Sequence, residues 1–145
     1  MDWVTRERPK TDRIACPWLI RRFIDPAAQF HFVPPDEVLG LASEIGGTAF
    51  DAPGATYTHR DGRCTFEVLV DEFALVGNRA LARLARIVHA ADIDEELGSD
   101  PAGAGLLAIA IGGLGVEADD HVLLERALFV YDALYAWCEL DVAQR

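Results

Sequence analysis

Residues 79–91, with the sequence RALARLARIVHAA, constrain the fold more strongly than any other segment. Their apolar side chains recur every three or four residues, which is the spacing of one face of a helix. Such a helix has to bury its apolar face against a second layer, so the segment predicts a packed helical layer. The residues predicted to face inward are Leu81, Leu84, Ile87 and Val88, and those predicted to face solvent are Arg79, Arg83 and Arg86.

The other segments predict short strands near the N-terminus and helices after them. Runs of β-branched and aromatic residues between turn signals predict strands at 3–6, 29–33 and 48–51. Capping residues, glycine and proline delimit predicted helices at 12–24, 36–45, 64–75, 103–111 and 120–137. Pro17 either kinks the first of these helices or is its first residue. The predicted fold class is α+β and predominantly helical, with a small N-terminal β-sheet and helices followed by a helical layer.

The chain is acidic, with 13 basic and 24 acidic residues and a formal net charge of −11. The phosphate backbone of a nucleic acid would meet net repulsion, so direct nucleic-acid binding is not expected. The 145 residues, of which 51% are apolar, are enough for one domain with an ordinary core. Residues 1–145 are therefore predicted to form a single domain.

Cysteine usage and hydropathy predict the compartment. The three cysteines, at positions 16, 64 and 138, are odd in number and widely spaced, which does not indicate a disulfide framework. The first thirteen residues lack the apolar segment of a secretory signal. The uncharged run 102–116 has five glycines in fifteen residues and is shorter than the roughly 20 residues that cross a bilayer. These features predict a cytoplasmic protein that does not enter a membrane.

The segment DRIACPWLIRR near the N-terminus predicts an anion-binding site. If Pro17 begins the helix, Cys16 occupies the N-cap, where backbone N–H groups and the helix dipole lower the pKa of a thiol. The guanidinium groups of Arg13, Arg21 and Arg22 would then hold an oxyanion through charge-assisted hydrogen bonds. The alternative is that Cys16 is a small buried apolar residue and that the arginines pair with carboxylates of this acidic chain.

Histidines and carboxylates at helical spacing on separate segments predict a metal site. A shell of imidazole and carboxylate groups would suit zinc, iron or manganese. The predicted ligands are His59, Glu67, His89, Asp92 and His121, with Asp71 and Glu125 one turn away from two of them. None of these pairs forms a closed motif such as HExxH, so the alternative for each histidine is a residue without a ligand role.

Two carboxylates in apolar surroundings are expected to have partners. Glu67 lies within the apolar stretch 66–70, where a carboxylate buried alone would be unfavourable, so an arginine or a metal ion is expected beside it. Asp132 and Tyr135 lie in the aromatic run FVYDALYAWC, which reads as an ordinary amphipathic helix. Asp132 is accordingly expected to pair with an arginine.

Four segments resemble a known family: WVTRERPKTDRIACPWLIRRFID at the start, FDAPGATYTHRDGRCTFE, VHAAD, and VYDALYAWC near the end. Together they are similar to the ChrB-type chromate-resistance domain, the C-terminal part of a bacterial regulator found with chromate efflux genes. The likeness covers about residues 3–138 and implies the ligand-facing half of such a regulator, without the part that contacts DNA. The site or near-site residues that the resemblance marks by position are Arg13, Cys16, Arg21, Asp51, His59, Cys64, Glu67, His89, Asp92 and His121.

Two hypotheses about function follow. The first is a module that binds or senses a small chromate-like oxyanion or a metal ion in a polar pocket. The alternative is a metal-dependent enzyme, hydrolytic or redox, that uses the histidines and carboxylates; a weaker variant is reduction of chromate by the Cys16 thiol. The chain has no P-loop, GxSxG elbow or CxxC pair, which argues against a nucleotide hydrolase or a cofactor-dependent dehydrogenase. The sequence leaves open whether the chain is an enzyme and whether it forms a homo-oligomer.

Overall fold

Three short parallel strands and six helices build the chain, and the computed structural model describes residues 1–145. The strands are β1 (Asp2–Arg6), β2 (Gln29–Val33) and β3 (Thr48–Ala49). The helices are α1 (Asp12–Leu19), α2 (Val38–Ile45), α3 (Thr65–Glu72), α4 (Arg79–Asp92), α5 (Pro101–Val116) and α6 (Asp120–Ala143). The sheet lies at the N-terminus and most helices follow it, so the predicted fold class is confirmed.

β1 is the central strand of the sheet, whose order is β2-β1-β3. Trp3 of β1 is in register with Phe30 of β2, and its ring packs edge-on against Phe50 in the main core. The next residue, Val4, belongs to a second apolar cluster with Val38 of α2. Since successive side chains of a strand point to opposite faces, the sheet is covered on both sides, as parallel sheets usually are.

α4 is the centre of the helical layer and packs against α3, α5 and α6. The prediction for its apolar face is confirmed, because all four residues expected to face inward are fully buried: Leu81, Leu84, Ile87 and Val88. The side chain of Asn78 caps this helix by accepting the N–H of Leu81 at 2.9 Å. α4 therefore stands in the middle of the core, and its last turn reaches the end of the molecule where α1 and α3 begin.

In the N-terminal half, one open prediction is resolved and one is wrong. α1 begins at Asp12, so Pro17 lies inside the helix, which is one of its two predicted positions, and Cys16 is not at the N-cap. Proline removes only one backbone hydrogen bond, and the buried residues on either side of it hold the helix together; a single π-helical turn, Ile20–Ile24, completes the segment. β3 ends two residues earlier than expected, because Asp51 has φ 48°, a left-handed conformation that a strand does not accommodate.

The C-terminal half also contains two corrections. Arg83 was expected to face solvent but is only 9% exposed, because Asp100 and Asp141 on neighbouring elements surround its guanidinium group. Trp137 was expected to face the core but is 45% exposed, and its ring lies 5.2 Å from the Arg83 guanidinium carbon. α5 and α6 are both longer than predicted. Even so, no helix combines the length and the apolar character needed to cross a lipid bilayer.

Gly103 sets how closely α5 approaches α4. A Cβ atom at this position would lie 2.6 Å from the Cβ of Ala90, which is closer than real Cβ atoms approach. Gly105, two residues later, would meet nothing within 4 Å. The absence of a side chain at residue 103 is therefore a packing requirement, whereas at residue 105 it is not required within this chain.

Gly103→Ala is expected to lower the free energy of unfolding by about 1 to 2 kcal/mol, because the new methyl group pushes α5 away from α4. Alanine also has a higher helix propensity than glycine, and the expected loss is the net effect after this gain has been subtracted. Gly40→Ala in α2 is the matched control, because a Cβ atom at that position would also meet nothing within 4 Å, and it should raise the free energy of unfolding by roughly 0.5 to 1 kcal/mol. Urea denaturation of both variants at one protein concentration measures the two shifts. Equal shifts would show that the close approach at Gly103 does not contribute to stability.

Candidate metal site

Three aspartates surround one histidine at the C-terminal end of α4. Asp12 is the first residue of α1, Asp51 follows β3, His59 lies in the loop before α3, and Asp92 is the last residue of α4. The Nε2 atom of His59 lies 2.9 Å from Asp92 Oδ2, 3.4 Å from Asp12 Oδ2 and 3.4 Å from Asp51 Oδ1. One ring nitrogen offers a single N–H group, which can point at only one of these three oxygens. The cluster is therefore more than a histidine–carboxylate hydrogen bond.

The carboxylates lie deep in the cluster and the imidazole lies at its rim. The side chain of Asp12 is fully buried, and those of Asp51 and Asp92 are 6% and 13% exposed. The side chain of His59 is 44% exposed. Solvent and small solutes can therefore reach the cluster from the side of His59.

The N-terminus of α3 holds two of the carboxylates. Asp12 accepts the backbone N–H of Thr65 at 2.6 Å and that of Phe66 at 3.0 Å. The hydroxyl group of Thr65 donates to Asp51 Oδ1 at 2.7 Å. Free N–H groups and the helix dipole favour a negative charge at the start of a helix. α3 therefore fixes the orientation of Asp12 and favours its ionised form.

The third carboxylate, Asp92, is held by a residue with a strained backbone. The hydroxyl of Thr11 donates to Asp92 Oδ1 at 2.6 Å, which leaves Oδ2 directed at His59. Thr11 has φ 42° and Asp51 has φ 48°, in a region that costs a residue with a side chain about 1 to 3 kcal/mol. Such strain persists mainly at functional sites, and two of the five non-glycine residues with positive φ, Thr11 and Asp51, border this cluster.

The charged groups in the cluster shift one another's pKa values. The carboxylates of Asp12 and Asp51, and then that of Asp92, raise the pKa of His59 to about 10. Burial raises the pKa of Asp12 to about 7. Burial also opposes the ionised form of Asp51, but contacts with His59 and Thr65 hold the pKa of Asp51 below its usual value. At neutral pH the imidazolium group is therefore the cation around which the carboxylates gather.

The spacing of these atoms is also that of metal ligands. Metal–ligand bonds of about 2.0 to 2.2 Å place neighbouring ligand atoms roughly 2.8 to 3.6 Å apart in octahedral or tetrahedral geometry. The contacts of His59 span 2.9 to 3.4 Å, and the donor atoms of Asp12, His59 and Asp92 all lie within 4.8 Å of one another. The carboxylates are also hydrogen-bonded to other groups, as ligating carboxylates usually are. The residues present therefore fit a divalent cation in donor type, spacing and support.

Glu67 and His89 belong to a second cluster, together with Cys64. Glu67 Oε1 accepts the backbone N–H of Cys64 at 3.0 Å and lies 2.6 Å from Nδ1 of His89. The protein partner of Glu67 is thus a histidine and not the predicted arginine, and Glu67 also closes a capping box at the start of α3. A metal ion beside Glu67 stays a prediction. The three donor atoms lie within 4.8 Å of one another. Burial raises the pKa of the Cys64 thiol, which opposes the thiolate that a metal ion would need.

The five predicted metal ligands therefore do not form one set. His59 and Asp92 lie in the first cluster, and Glu67 and His89 lie in the second. His89 and Asp92 face different clusters although they are three residues apart on α4. His121 lies in neither, and its ring meets the edge of Phe32 with 5.2 Å between the ring centroids.

The four predicted anion-binding residues do not come together either. Cys16 is fully buried inside α1, with its Sγ 3.7 Å from Oδ1 of Asp12, and burial raises the pKa of this thiol well above its usual value. Each arginine lies beside a carboxylate, in the pairs Arg13–Asp51, Arg21–Glu125 and Arg22–Asp132. These pairs agree with the alternative interpretation, in which the arginines pair with carboxylates of the chain. The expected arginine partner of Asp132 is confirmed.

Asp12 is not among the ligands that the sequence predicts, and Asp51 enters only through the family resemblance. No helical spacing connects either residue with His59 or Asp92, since the four lie on different elements. The signal that could have found them is their place within the two most specific segments of the resemblance, DRIACPW and FDAPGATYTHRDGR.

Residues 3–138 match the family model described as ChrB, C-terminal domain. The chain belongs to this family. It is also 39% identical over 140 residues to Protein ChrB of Cupriavidus metallidurans. That alignment covers 92% of this chain and 39% of the relative, so the chain spans well under half the length of this ChrB protein. No solved structure matches the chain. Membership in the ChrB C-terminal domain family confirms the resemblance carried by the four sequence segments.

Proposed function

We propose that this ChrB-family domain binds one divalent metal ion through Asp12, His59 and Asp92, with Asp51 beside them, and acts in chromate resistance through that ion. The convergence of three largely buried aspartates on one imidazole nitrogen carries the proposal. Like charges crowded in a place with little water repel strongly unless a cation lies among them. A divalent ion would supply more compensating charge than the single imidazolium proton.

The donor set favours manganese, iron or zinc. Carboxylate oxygens suit manganese, and imidazole nitrogen suits zinc and iron, so a mixed set suits these three better than a soft metal. The side chain of His59 is 44% exposed, so water or a small oxyanion such as chromate could reach an ion held by these residues. Such access would serve a sensor, and a metal enzyme, the alternative function, would also require it.

Metal titration of stripped protein tests the proposal. After treatment with a chelator, the chain is expected to bind one manganese, iron or zinc ion, as measured by calorimetry and elemental analysis. Asp92→Asn and His59→Gln each remove a ligand and should weaken binding by at least about 100-fold. His59 is 44% exposed, and asparagine keeps the size of the largely buried Asp92 and an oxygen that accepts hydrogen bonds, so both variants should fold.

Glu67→Gln and His121→Gln are the matched controls for this titration. The first changes a carboxylate of the second cluster and the second changes a histidine outside both clusters. Both should still bind one ion per chain with wild-type affinity. If Glu67→Gln loses the ion while Asp92→Asn keeps it, the assignment to Asp12, His59 and Asp92 is wrong. If the wild-type chain binds none of the three metals, the proposed function is wrong as a whole.

A further inference from the structure

A face shared by α5 and α6 exposes a continuous set of apolar side chains, away from the candidate metal site. The exposed large residues on it are Ile109 (56%), Val116 (74%), Phe129 (75%), Trp137 (45%) and Leu140 (63%). Single exposed apolar residues are ordinary on a protein surface, whereas a contiguous set marks an interaction surface. We propose that this face is the two-fold interface of a homodimer, in which α5 and α6 of both copies form a four-helix arrangement.

The spacing of these residues is that of helices packed side by side. On α5 the stripe consists of Ala102, Gly105, Ile109, Gly112 and Val116, and on α6 of Phe129, Ala133, Trp137 and Leu140. We call these nine residues the α5–α6 seam. Steps of three and four residues are typical of a helix face that meets another helix. The opposite faces, with Leu106 and Leu128, are already buried in the core of this chain.

A groove runs between the two helices along the seam. It has a volume of about 450 Å³ and is lined on one side by Gly105 and Ile109 and on the other by Phe129 and Ala133. Small residues leave room in the groove, while Phe129 stands exposed at its edge. A two-fold interface has to be self-complementary, and here the groove of one copy offers space for the phenylalanine of the other.

The composition of α5 also favours a second copy of the chain as the partner. The helix has five glycines and no charged residue among its sixteen positions. Glycine disfavours a helix relative to alanine, so glycines are retained in a helix where another backbone approaches closely. Yet the two seam glycines, Gly105 and Gly112, meet nothing within 4 Å in this chain. A second α5–α6 pair placed on the seam would supply that close approach.

Area and charge agree with a second copy of the chain. At 1.5 Å per residue, α5 and α6 are about 24 and 36 Å long, and with helices about 10 Å apart their shared face covers roughly 600 Å². Stable interfaces bury about 600 to 1,000 Å² on each partner, so the shared face reaches the lower end of that range, and incidental contacts bury less than about 400 Å². Each copy has a net charge of −11, so two copies repel except through a face with few charges. The seam residues are uncharged.

Sedimentation velocity of the full chain tests the dimer. Between about 1 and 200 µM the chain should form a species of twice its 15.9 kDa mass. Phe129→Glu and Gly105→Glu each place a charge in the seam and should weaken association at least about 100-fold. Val76→Glu is the matched control, because Val76 is 63% exposed in the loop after α3 and lies outside the seam. This variant should dimerise like the wild type.

The variants are also checked by circular dichroism, and both seam positions are open enough for a glutamate to leave the fold intact. A wild-type chain that stays monomeric over the whole concentration range overturns the proposal. A dimer that survives both seam substitutions also overturns it, because its contact then lies elsewhere. Assemblies larger than two copies would contradict a closed two-fold interface.

Discussion

Replacing Trp18 by alanine is expected to lower the free energy of unfolding by about 4 kcal/mol. The side chain is 1% exposed and packs against the rings of Phe23, Tyr131 and Tyr135. Its indole N–H donates to Asp132 Oδ1 at 2.7 Å. Truncation would leave a cavity between α1 and α6 and remove the hydrogen bond that connects them. Urea denaturation followed by circular dichroism measures the loss.

Trp18→Phe separates packing from hydrogen bonding in this contact. It keeps most of the ring volume and removes the N–H donor, so it should cost only about 1 to 2 kcal/mol. Equal losses for the two variants would show that packing is not the main contribution. The contact also bears on the candidate metal site, because Tyr131 under Trp18 donates its hydroxyl to the carbonyl oxygen of Thr11, directly before Asp12.

Arg83→Ala is expected to lower the free energy of unfolding by about 3 kcal/mol. The guanidinium group lies 2.8 Å from Asp100 and 3.0 Å from Asp141, and both carboxylates are largely shielded from solvent. Without Arg83 these carboxylates remain close together with no cation between them. Asp100 also caps α5 by accepting the N–H of Ala102 at 2.9 Å, so the loss should extend to the start of that helix.

Arg86→Ala is the matched control for Arg83→Ala, since Arg86 lies on the same helix and is exposed. Its replacement should change the free energy of unfolding by no more than about 0.5 kcal/mol. Arg83→Met keeps the apolar stem of the side chain and should recover only the part of the loss that comes from packing. Similar losses for Arg83→Ala and Arg86→Ala, measured by urea denaturation, would mean that the two ion pairs do not stabilise the fold.

α4 shows how far an apolar period predicts structure. The period identifies the residues that face the core because core and solvent alternate along the helix itself. It fails for Arg83, whose burial depends on carboxylates 17 and 58 residues away in the sequence. A local pattern contains no information about partners on other elements. The same reason explains why Trp137, placed on the core face by its period, is partly exposed.

The candidate site, like α4, could be predicted from the sequence only in part. Residue type placed His59 and Asp92 in the predicted ligand set, since imidazole and carboxylate are common ligands for divalent ions, and the structure brings these two residues into one cluster. Helical spacing, however, grouped His89 with Asp92, whereas the structure directs them to different clusters. The true neighbours of His59 come from the start of α1 and the end of β3. That arrangement follows from the packing of α1 against α3, which no single segment specifies.

The three candidate ligands are far apart along the chain, with 47 residues from Asp12 to His59 and 33 from His59 to Asp92. In an unfolded chain they would seldom meet, so an ion could bind them together only after the fold has formed. A bound ion would then act as a reversible cross-link between the N-terminal half and α4. All three cysteines of the chain are free, so no disulfide provides such a link. The lifetime of the native state would consequently follow the supply of metal ions around the protein rather than the redox state of its thiols.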